Sequence, residues 1–401
     1  ASALNGLTDV ISNITNFTDS MLISTDNAAP PHGTLSSAND NIGLGKDVFS
    51  ALTSGTKNIV IGNYAGDAIT SGRESVMIGY GAGSAITGNK HDNVFIGKDA
   101  VLNATTTSNT VAIGHSAGKD AIGSQSVYIG NGAGRFYTNE TVNSQMNTFV
   151  GYNAGLRGTT SENQTWITIV GANAGYSTGV GAYSTIVGGQ AGQYAPGWSN
   201  TYIGQGAGKG NSNTTTSSTN NIAIGRSALS GPSMTSAGAN IAIGGSTLYN
   251  ITTGARNLAI GVSTLNDVTS GDDNIGLGNG AGDLITTADK NITIGYQAGD
   301  NITTGSNNVI IGGVDAPSAT GNDQLVIASG DGSPTWLTGD SSGVVNIPGS
   351  LTVAGSAVGG ASALDGLSDV KSGGTDFANS LLIGHQTTGT LSSAEKNVGI
   401  G

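Results

Sequence analysis

The chain has 401 residues, of which 67 are glycine and only 10% are charged, and it contains no cysteine. Because a helix interior disfavours glycine by about 1 kcal/mol relative to alanine, this composition argues against an α-helical protein. The formal charge of −12, with only 14 scattered Lys and Arg, argues against a nucleic-acid partner, and the lack of cysteine excludes disulfides and thiolate chemistry.

The first segment, residues 1–40, is predicted to be a joint that precedes a repeat array. Its opening, ASALNGLTDV at 1–10, returns as ASALDGLSDV at 361–370. The chain therefore holds one super-module of about 360 residues, and residues 361–401 begin the next one. We expect the natural polypeptide to continue past Gly401.

Residues 41–312 repeat a short phrase of Asn, an apolar residue, any residue, Ile and Gly, with small variations. Eight of the fifteen intervals between its final glycines are seventeen residues, and the others lie between sixteen and twenty-one. A persistent period this short predicts a solenoid, and fixed offsets of Ile, Val and Leu argue against disorder. We predict an all-β parallel β-solenoid (β-roll) of sixteen coils of about 17 residues. The phrase glycines are Gly45, Gly62, Gly79, Gly97, Gly114, Gly130, Gly151, Gly171, Gly188, Gly204, Gly225, Gly244, Gly261, Gly278, Gly295 and Gly312.

One coil, NIVIGNYAGDAITSGRE, illustrates the expected structure. Ile59 and Ile61 alternate with Val60 as in a β-strand, and Gly62 permits a bend that a Cβ would hinder. Residues 68–70 are expected to form a second strand, so that two strands and two turns close the coil. The same roles fall on Asn221, Ile224 and Gly225 and on Asn291, Ile294 and Gly295.

Stacking the coils in register brings Asn58 beside the asparagines at the same position of other coils. Side-chain amides stacked in this way can bond one another along the axis. An ion or ligand site is the alternative, and the structural role is favoured. The equivalent residues include Asn41, Asn93, Asn221, Asn240, Asn257, Asn274, Asn291 and Asn308.

The small apolar core of each coil predicts that several chains associate. Two or three Ile-class side chains offset only part of the conformational entropy that a coil loses on folding. Burial of a second face, such as the strand around Val60 or the Ala-Gly corner, would offset more of it. We expect an obligate homo-oligomer, with a homotrimer as the favoured state.

Aromatic residues concentrate between residues 128 and 202, where eleven of the twenty occur. The coils lengthen there to twenty and twenty-one residues, which indicates projecting loops. Aromatic faces on rigid loops suit sugars and protein surfaces alike, and the alternative is that the rings cover the wider coils. The candidate receptor contacts are Tyr137, Trp166, Tyr194 and Trp198.

Residues 313–360 differ from the array. Short apolar alternations, such as Leu325 with Ile327 and Val345 with Ile347, are separated by Gly, Pro and Ser turns. We predict short strands in a shaft or spacer.

No motif indicates catalysis. The four histidines lack paired metal-ligand spacing, and GQGAGKG at 204–210 lacks the Ser or Thr that follows a P-loop lysine. Asp272 and Asp273 are a possible calcium site, but the calcium-binding nonapeptide of other β-rolls is absent. We predict no enzyme activity, no cofactor, no metal site and no membrane insertion, since no apolar run reaches roughly 20 residues.

The phrases NIAIG at 221–225 and 240–244 and NIVIGNYAG at 58–66 resemble the head repeats of trimeric autotransporter adhesins. That resemblance implies a left-handed parallel β-roll in which three chains pack into one fibre. The longer coil, with ITTG at 251–254 and 302–305, is similar to repeats of phage and large-virus tail fibres. The likeness covers about two-thirds of the chain.

These observations predict a structural segment of a long trimeric fibre, on a virion tail or another attachment fibre, that contacts a host-surface glycan or protein. Its expected location is extracellular, on a virion or a cell surface. The alternative is a non-viral cell-surface or extracellular filament or adhesin. Ice binding is a minor alternative, because Thr252 and Thr253 recur as Thr303 and Thr304 but regular TxT arrays are missing.

Overall fold

The computed structural model describes residues 10–24, 33–121, 123–136, 145–157, 165–176, 180–194, 197–210, 218–231 and 234–349, and the backbone of five short strands between 351 and 400. No helix occurs in these ranges. The strands are β1 (Val10–Ile14), β2 (Phe17–Ile23), β3 (Ile42–Leu44), β4 (Ile59–Ile61), β5 (Val76–Ile78), β6 (Val94–Ile96), β7 (Val111–Ile113), β8 (Val127–Ile129), β9 (Thr148–Val150), β10 (Thr168–Val170), β11 (Thr185–Val187), β12 (Thr201–Ile203), β13 (Ile222–Ile224), β14 (Ile241–Ile243), β15 (Leu258–Ile260), β16 (Ile275–Leu277), β17 (Ile292–Ile294), β18 (Val309–Ile311), β19 (Leu325–Ala328), β20 (Thr335–Gly339), β21 (Val345–Asn346), β22 (Leu351–Val353), β23 (Ser356–Val358), β24 (Val370–Ser372), β25 (Leu381–Ile383) and β26 (Val398–Ile400).

Sixteen of these strands, β3 to β18, form one parallel sheet with one strand from each coil. Each strand has three residues and ends just before a phrase glycine. Successive strands pair in register, so that Ile42 lies opposite Ile59 and Ile59 lies opposite Val76. The prediction of an all-β parallel solenoid with coils of about 17 residues is confirmed.

Each coil contains one strand instead of the expected two. The prediction of a second strand at residues 68–70 is wrong, because residues 63–68 form turns and no strand follows before Val76. The chain turns there because Tyr64 and Gly66 have positive φ angles of 59° and 53°. Hydrogen bonds still join neighbouring coils along these turns, for example from Tyr64 N to Lys46 O at 2.8 Å.

The phrase glycines form a column in which backbones of adjacent coils touch. Gly62 has a φ of 130°, and a Cβ on it would lie 2.5 Å from the carbonyl oxygen of Gly79. A side chain is therefore excluded by backbone conformation and by the next coil together. This close approach explains why the final glycine is the most constant residue of the phrase.

The core is a narrow channel. The middle residue of each strand of the parallel array fills it from the sheet side, except in β3 and β16, where that residue is glycine. The residue four positions after the phrase glycine packs against these middle residues from the other side of the channel, and its size varies with theirs. Tyr128 faces glycines, since a Cβ on Gly118 would lie 2.8 Å from its ring. In β13, β14 and β15 the middle residue is an alanine, and the matching position holds a buried leucine, as Leu248 does for Ala242. Large and small residues thus compensate one another at close packing.

Antiparallel strands cover both ends of the parallel sheet. β2 pairs in parallel with β3, and β1 lies antiparallel on β2; β19 pairs in parallel with β18, and β20 lies antiparallel on β19. The first arrangement recurs at 370–400, where Val370 pairs with Ile383 as Val10 pairs with Ile23. The sheet thus extends one parallel strand beyond the array at each end. The division of the chain into segments at residues 40, 312 and 360 stays a prediction.

Candidate binding surfaces

Asparagine side chains stack inside the solenoid and bond from coil to coil. The Nδ2 of Asn58 donates to Oδ1 of Asn41 at 3.0 Å and to the carbonyl oxygen of Gly72 at 2.9 Å. The same Oδ1 accepts the backbone N–H of Asn58 at 3.0 Å. Each amide in such a stack is buried and satisfied by protein groups, which is a structural role. An unbroken run comprises Asn200, Asn221, Asn240, Asn257, Asn274, Asn291 and Asn308 and ends at Gln324.

Other side chains interrupt this asparagine column within the first nine coils of the array. Serine keeps part of the bonding, because Ser126 Oγ accepts the backbone N–H of Asn147 at 3.2 Å and Ser184 Oγ accepts that of Asn200 at 3.3 Å. Ile167 has no side-chain polar group to contribute. The interrupting residues are Ser75, Thr110, Ser126, Ile167 and Ser184.

The first and third residues of strands β3 to β18 point outward and form two columns, which we call the outer sheet face. In β4, Val60 is buried while Ile59 and Ile61 on either side of it remain partly accessible. Ile224 and Ile294 occupy the third position in their own strands. All 32 residues of this face are Ile, Val, Leu or Thr, so it carries no charge.

The size of the outer sheet face is that of a protein interface. Sixteen strands spaced about 4.8 Å apart extend over roughly 75 Å, and two columns occupy about 10 Å of width. The resulting area of roughly 750 Å² exceeds the largest apolar patch of a typical monomer and matches one side of a standard interface.

A second surface lies at a corner of the coils, five residues before the phrase glycine. Trp166 and Tyr183 hold this position in successive coils and are 60% and 61% exposed, and Met146 in the preceding coil is 38% exposed. We call these three residues the aromatic corner. Backbone bonds keep the coils in register there, with Trp166 N donating to Gln145 O at 3.3 Å and Tyr183 N to Thr165 O at 3.1 Å.

The backbone at this corner is left-handed in every described coil, and most coils place a polar residue there. Trp166 and Tyr183 have φ angles of 61° and 63°. Large side chains disfavour this conformation, whereas Asn and Asp tolerate it. Residues at the same position in other coils include Lys57, Glu74, Asp92, Asn109, Gln125, Ser199, Asn220, Arg256, Asp273, Lys290 and Asn307.

The outer sheet face also changes in the coils that carry the aromatic corner. The first strand position is threonine in four successive strands, at Thr148, Thr168, Thr185 and Thr201, and is Ile, Val or Leu in the other twelve. Thr168 and Thr185 lie two residues after Trp166 and Tyr183 in the same coils. Aromatic rings and a row of hydroxyl groups therefore occur together.

The four candidate receptor contacts are placed differently by the fold. Trp166 is exposed in the aromatic corner, while Tyr194 and Trp198 are half-buried, and the Trp198 ring lies against Gly181. Tyr137 lies outside the described residues. Tyr183 was not among the candidates; counting five residues back from each phrase glycine would have identified it.

Four aspartates form a stack of carboxyl groups along the last coils of the array, away from the aromatic corner. The pKa of Asp300 is raised to about 6 by burial and then by its neighbours Asp315 and Asp283. Burial and Asp267 raise the pKa of Asp283. These aspartates recur every 15 to 17 residues, so one carboxyl group stacks near the next.

The acidic pair that could suggest a calcium site is engaged by arginine. Arg256 Nε lies 2.7 Å from Asp273 Oδ1, and Arg256 Nη2 lies 3.1 Å from Asp272 Oδ2. The hydrogen bond from Arg256 lowers the pKa of Asp273. Among the residues whose positions the structure gives, no group of three or more His, Cys, Asp or Glu could hold a metal ion.

Comparison with known proteins leaves the chain without an assigned family. No protein-family model matches it, and a search of curated proteins finds no significant match. In the described part of the chain, no helix is long and apolar enough to cross a membrane.

Proposed function

We propose that this chain is a structural segment of a long extracellular homotrimeric fibre that projects toward a host surface. Three solenoids would run side by side with the third-position columns of their outer sheet faces around a common axis. The observation that carries this proposal is the uncharged apolar third-position column, which continues through all sixteen coils.

The third-position column is the more continuous half of that face. It is Ile, Leu or Val in every strand from Leu44 to Ile311, including the four strands whose first position is threonine. Burying such a strip favours association by about 25 cal/mol per Å² before the costs of ordering and lost motion. Depletion of charge at the centre of a contact is typical of interfaces. The number three follows from the resemblance to adhesin head repeats.

A solenoid of this kind suits a spacer function. Each coil adds one strand spacing, so length grows with the number of repeats, and every coil is supported by its neighbours. The proposed origin is a virion tail fibre, and a non-viral surface filament or adhesin is the alternative. Baseplate or capsid genes beside the coding gene would support the virion, and surface-anchor or secretion genes would support the alternative.

Sedimentation of matched charge variants tests the assembly. Ile243→Lys with Ile260→Lys places two charges in the third-position column, where Ile260 is 40% exposed in the single chain. Val262→Lys with Tyr296→Lys places the same charges on exposed apolar residues just after phrase glycines. We expect the wild type and the second variant to be trimers and the first to dissociate. A folded monomeric wild type, or equal behaviour of the two variants, would contradict the proposal.

A further inference from the structure

We infer that the aromatic corner and the first-position threonines of β9 to β12, which we call the threonine row, form a binding site for a neutral saccharide. This inference specifies the host-contact part of the proposed function and rests on it. It concerns residues outside the third-position column, so attachment and trimer formation can be measured separately.

The first step of the argument is that the corner side chains have no evident structural role. Trp166 and Tyr183 are more than half exposed, so they cover little of the solenoid. Their left-handed backbone conformation costs about 1 kcal/mol or more for a bulky residue. Asparagine occupies the same position in other coils, for example Asn109 and Asn307. Two adjacent coils therefore carry exposed aromatic rings at positions where such residues destabilise the fold.

The second step is the size and chemistry of the surface. Adjacent coils are about 4.8 Å apart, so the exposed side chains of Trp166 and Tyr183 come from neighbouring coils at the same corner. Aromatic rings pack against the C–H faces of sugars, and the nearby hydroxyls of Thr168 and Thr185 can donate to and accept from sugar hydroxyls. Apolar surface with a few placed polar groups is the usual composition of a small-ligand site.

The third step is charge, which separates the neutral class of ligand from the acidic one. Residues 145–208 contain only two charged side chains, Arg157 and Glu162, in a chain with a net charge of −12. A sialylated, sulfated or phosphorylated glycan needs cationic partners, and this stretch supplies one arginine. The surface is therefore matched to an uncharged sugar.

The threonine row also argues against an apolar protein surface or a second copy of the chain as the occupant. At the first strand position, twelve strands carry Ile, Val or Leu, and the change to threonine is confined to the coils at and beside the aromatic corner. An apolar partner would gain from the aliphatic residues found elsewhere, whereas hydroxyl groups gain only from a hydrogen-bonding partner.

Saturation-transfer NMR titrations of the full chain test the site. The probes are neutral tetrasaccharides of glucose, galactose, mannose and N-acetylglucosamine at millimolar concentration, with sialylated and sulfated tetrasaccharides beside them. We expect at least one neutral probe to bind, and Trp166→Ala and Tyr183→Ala each to weaken it about tenfold or more. Tyr296→Ala is the matched control, because Tyr296 is 63% exposed but far along the array, and should leave binding unchanged.

A second pair of variants separates the saccharide from an apolar occupant. Thr168→Val and Thr185→Val insert the residue that β5 to β8 already carry at this position, so folding is preserved. We expect saccharide binding to fall about threefold to tenfold. Absence of binding by every neutral probe, preference for the acidic probes, or binding unaffected by the corner variants would overturn the inference.

Sedimentation of the same samples keeps the two proposals distinct. Trp166→Ala should remain a trimer. A change of oligomeric state in that variant would mean that the corner packs against another chain, and the saccharide inference would be wrong. A monomeric wild type that binds the sugar would instead overturn the fibre assembly alone.

Discussion

The coils from Asn240 to Gly312 and those from Tyr128 to Gly204 share one fold but differ in regularity. In the first region every interval between phrase glycines is seventeen residues after Gly244, and the asparagine run is unbroken. In the second region intervals reach twenty-one residues, Ile167 and Ser184 interrupt the column, and bulky rings occupy strained exposed positions. We propose that the regular region contributes more of the stability and that the irregular region carries the binding surface.

The largest expected effect follows from adding a side chain to the glycine column of the regular region. In Gly295→Ala the new Cβ would lie 2.7 Å from the carbonyl oxygen of Gly312, at a φ of 137°. We expect a loss of about 3–5 kcal/mol in the free energy of unfolding, measured by urea denaturation. Gly189→Ala in the irregular region is the control, because a Cβ there meets nothing within 4 Å. Equal losses would show that the column is not the cause.

Interrupting the asparagine run should have the next largest effect. Asn274 donates to Asn257 Oδ1 at 3.1 Å and to Ala288 O at 2.8 Å, and its own Oδ1 accepts two bonds from Asn291. Asn274→Ala leaves these buried groups unpaired and should cost about 2–4 kcal/mol in thermal or urea unfolding.

Asn274→Ser should cost about half as much, because Ser126 and Ser184 show that a serine hydroxyl accepts the backbone N–H of the next coil. Such a variant would place in the regular region the serine-to-backbone hydrogen bond that occurs in the irregular region. A serine variant as damaging as the alanine variant would contradict this account of the column.

Stacked carboxyl groups give the regular region a pH dependence. Because the pKa of Asp300 is raised from 3.8 to about 6, the folded state binds more protons than the unfolded state between these values. The contribution of Asp300 to stability should therefore be greatest below about pH 4 and be lost as the pH rises to about 6, which lowers Tm by about 1 °C after solvent screening. The lowered pKa of Asp273 acts only below its usual range, so it does not reverse this trend.

Asp300→Asn should raise Tm slightly at pH 8 and flatten the profile between pH 4 and 6. Scanning calorimetry across this range measures both changes. A Tm that rises with pH over the same interval would show that the stacked carboxylates do not destabilise the fold by mutual repulsion.

The smallest expected effect is an exchange of corner residues between the two regions. Trp166→Asn should stabilise the protein by about 0.5–1 kcal/mol, because asparagine tolerates the left-handed backbone better. Asn307→Trp, at a φ of 60°, should destabilise it by a similar amount. Two-state urea unfolding of both variants measures the difference, and a destabilised Trp166→Asn would mean that the ring supports its coil.

The number and period of the coils could be predicted because the glycine column imposes a fixed sequence requirement on every coil. The second strand was predicted wrongly because left-handed residues such as Tyr64 and Asp47 are not glycine, so their turns leave little signal. The alternation of Ile59, Val60 and Ile61 predicted a strand but not which residues face outward. Tyr183 was overlooked because its exposure depends on its register against Gly188, which a count of aromatic residues ignores.

The antiparallel strands at the two ends of the parallel sheet have a consequence for assembly. An open parallel edge would template the addition of further strands. Here β1 and β20 lie across those edges, and both pairings contain a register irregularity, between Ser12 and Ile14 and between Ile327 and Ala328. We expect solenoids capped in this way to resist tip-to-tip polymerisation. The reach of a fibre built from them would then be set by how many coils the gene encodes and would not vary with protein concentration.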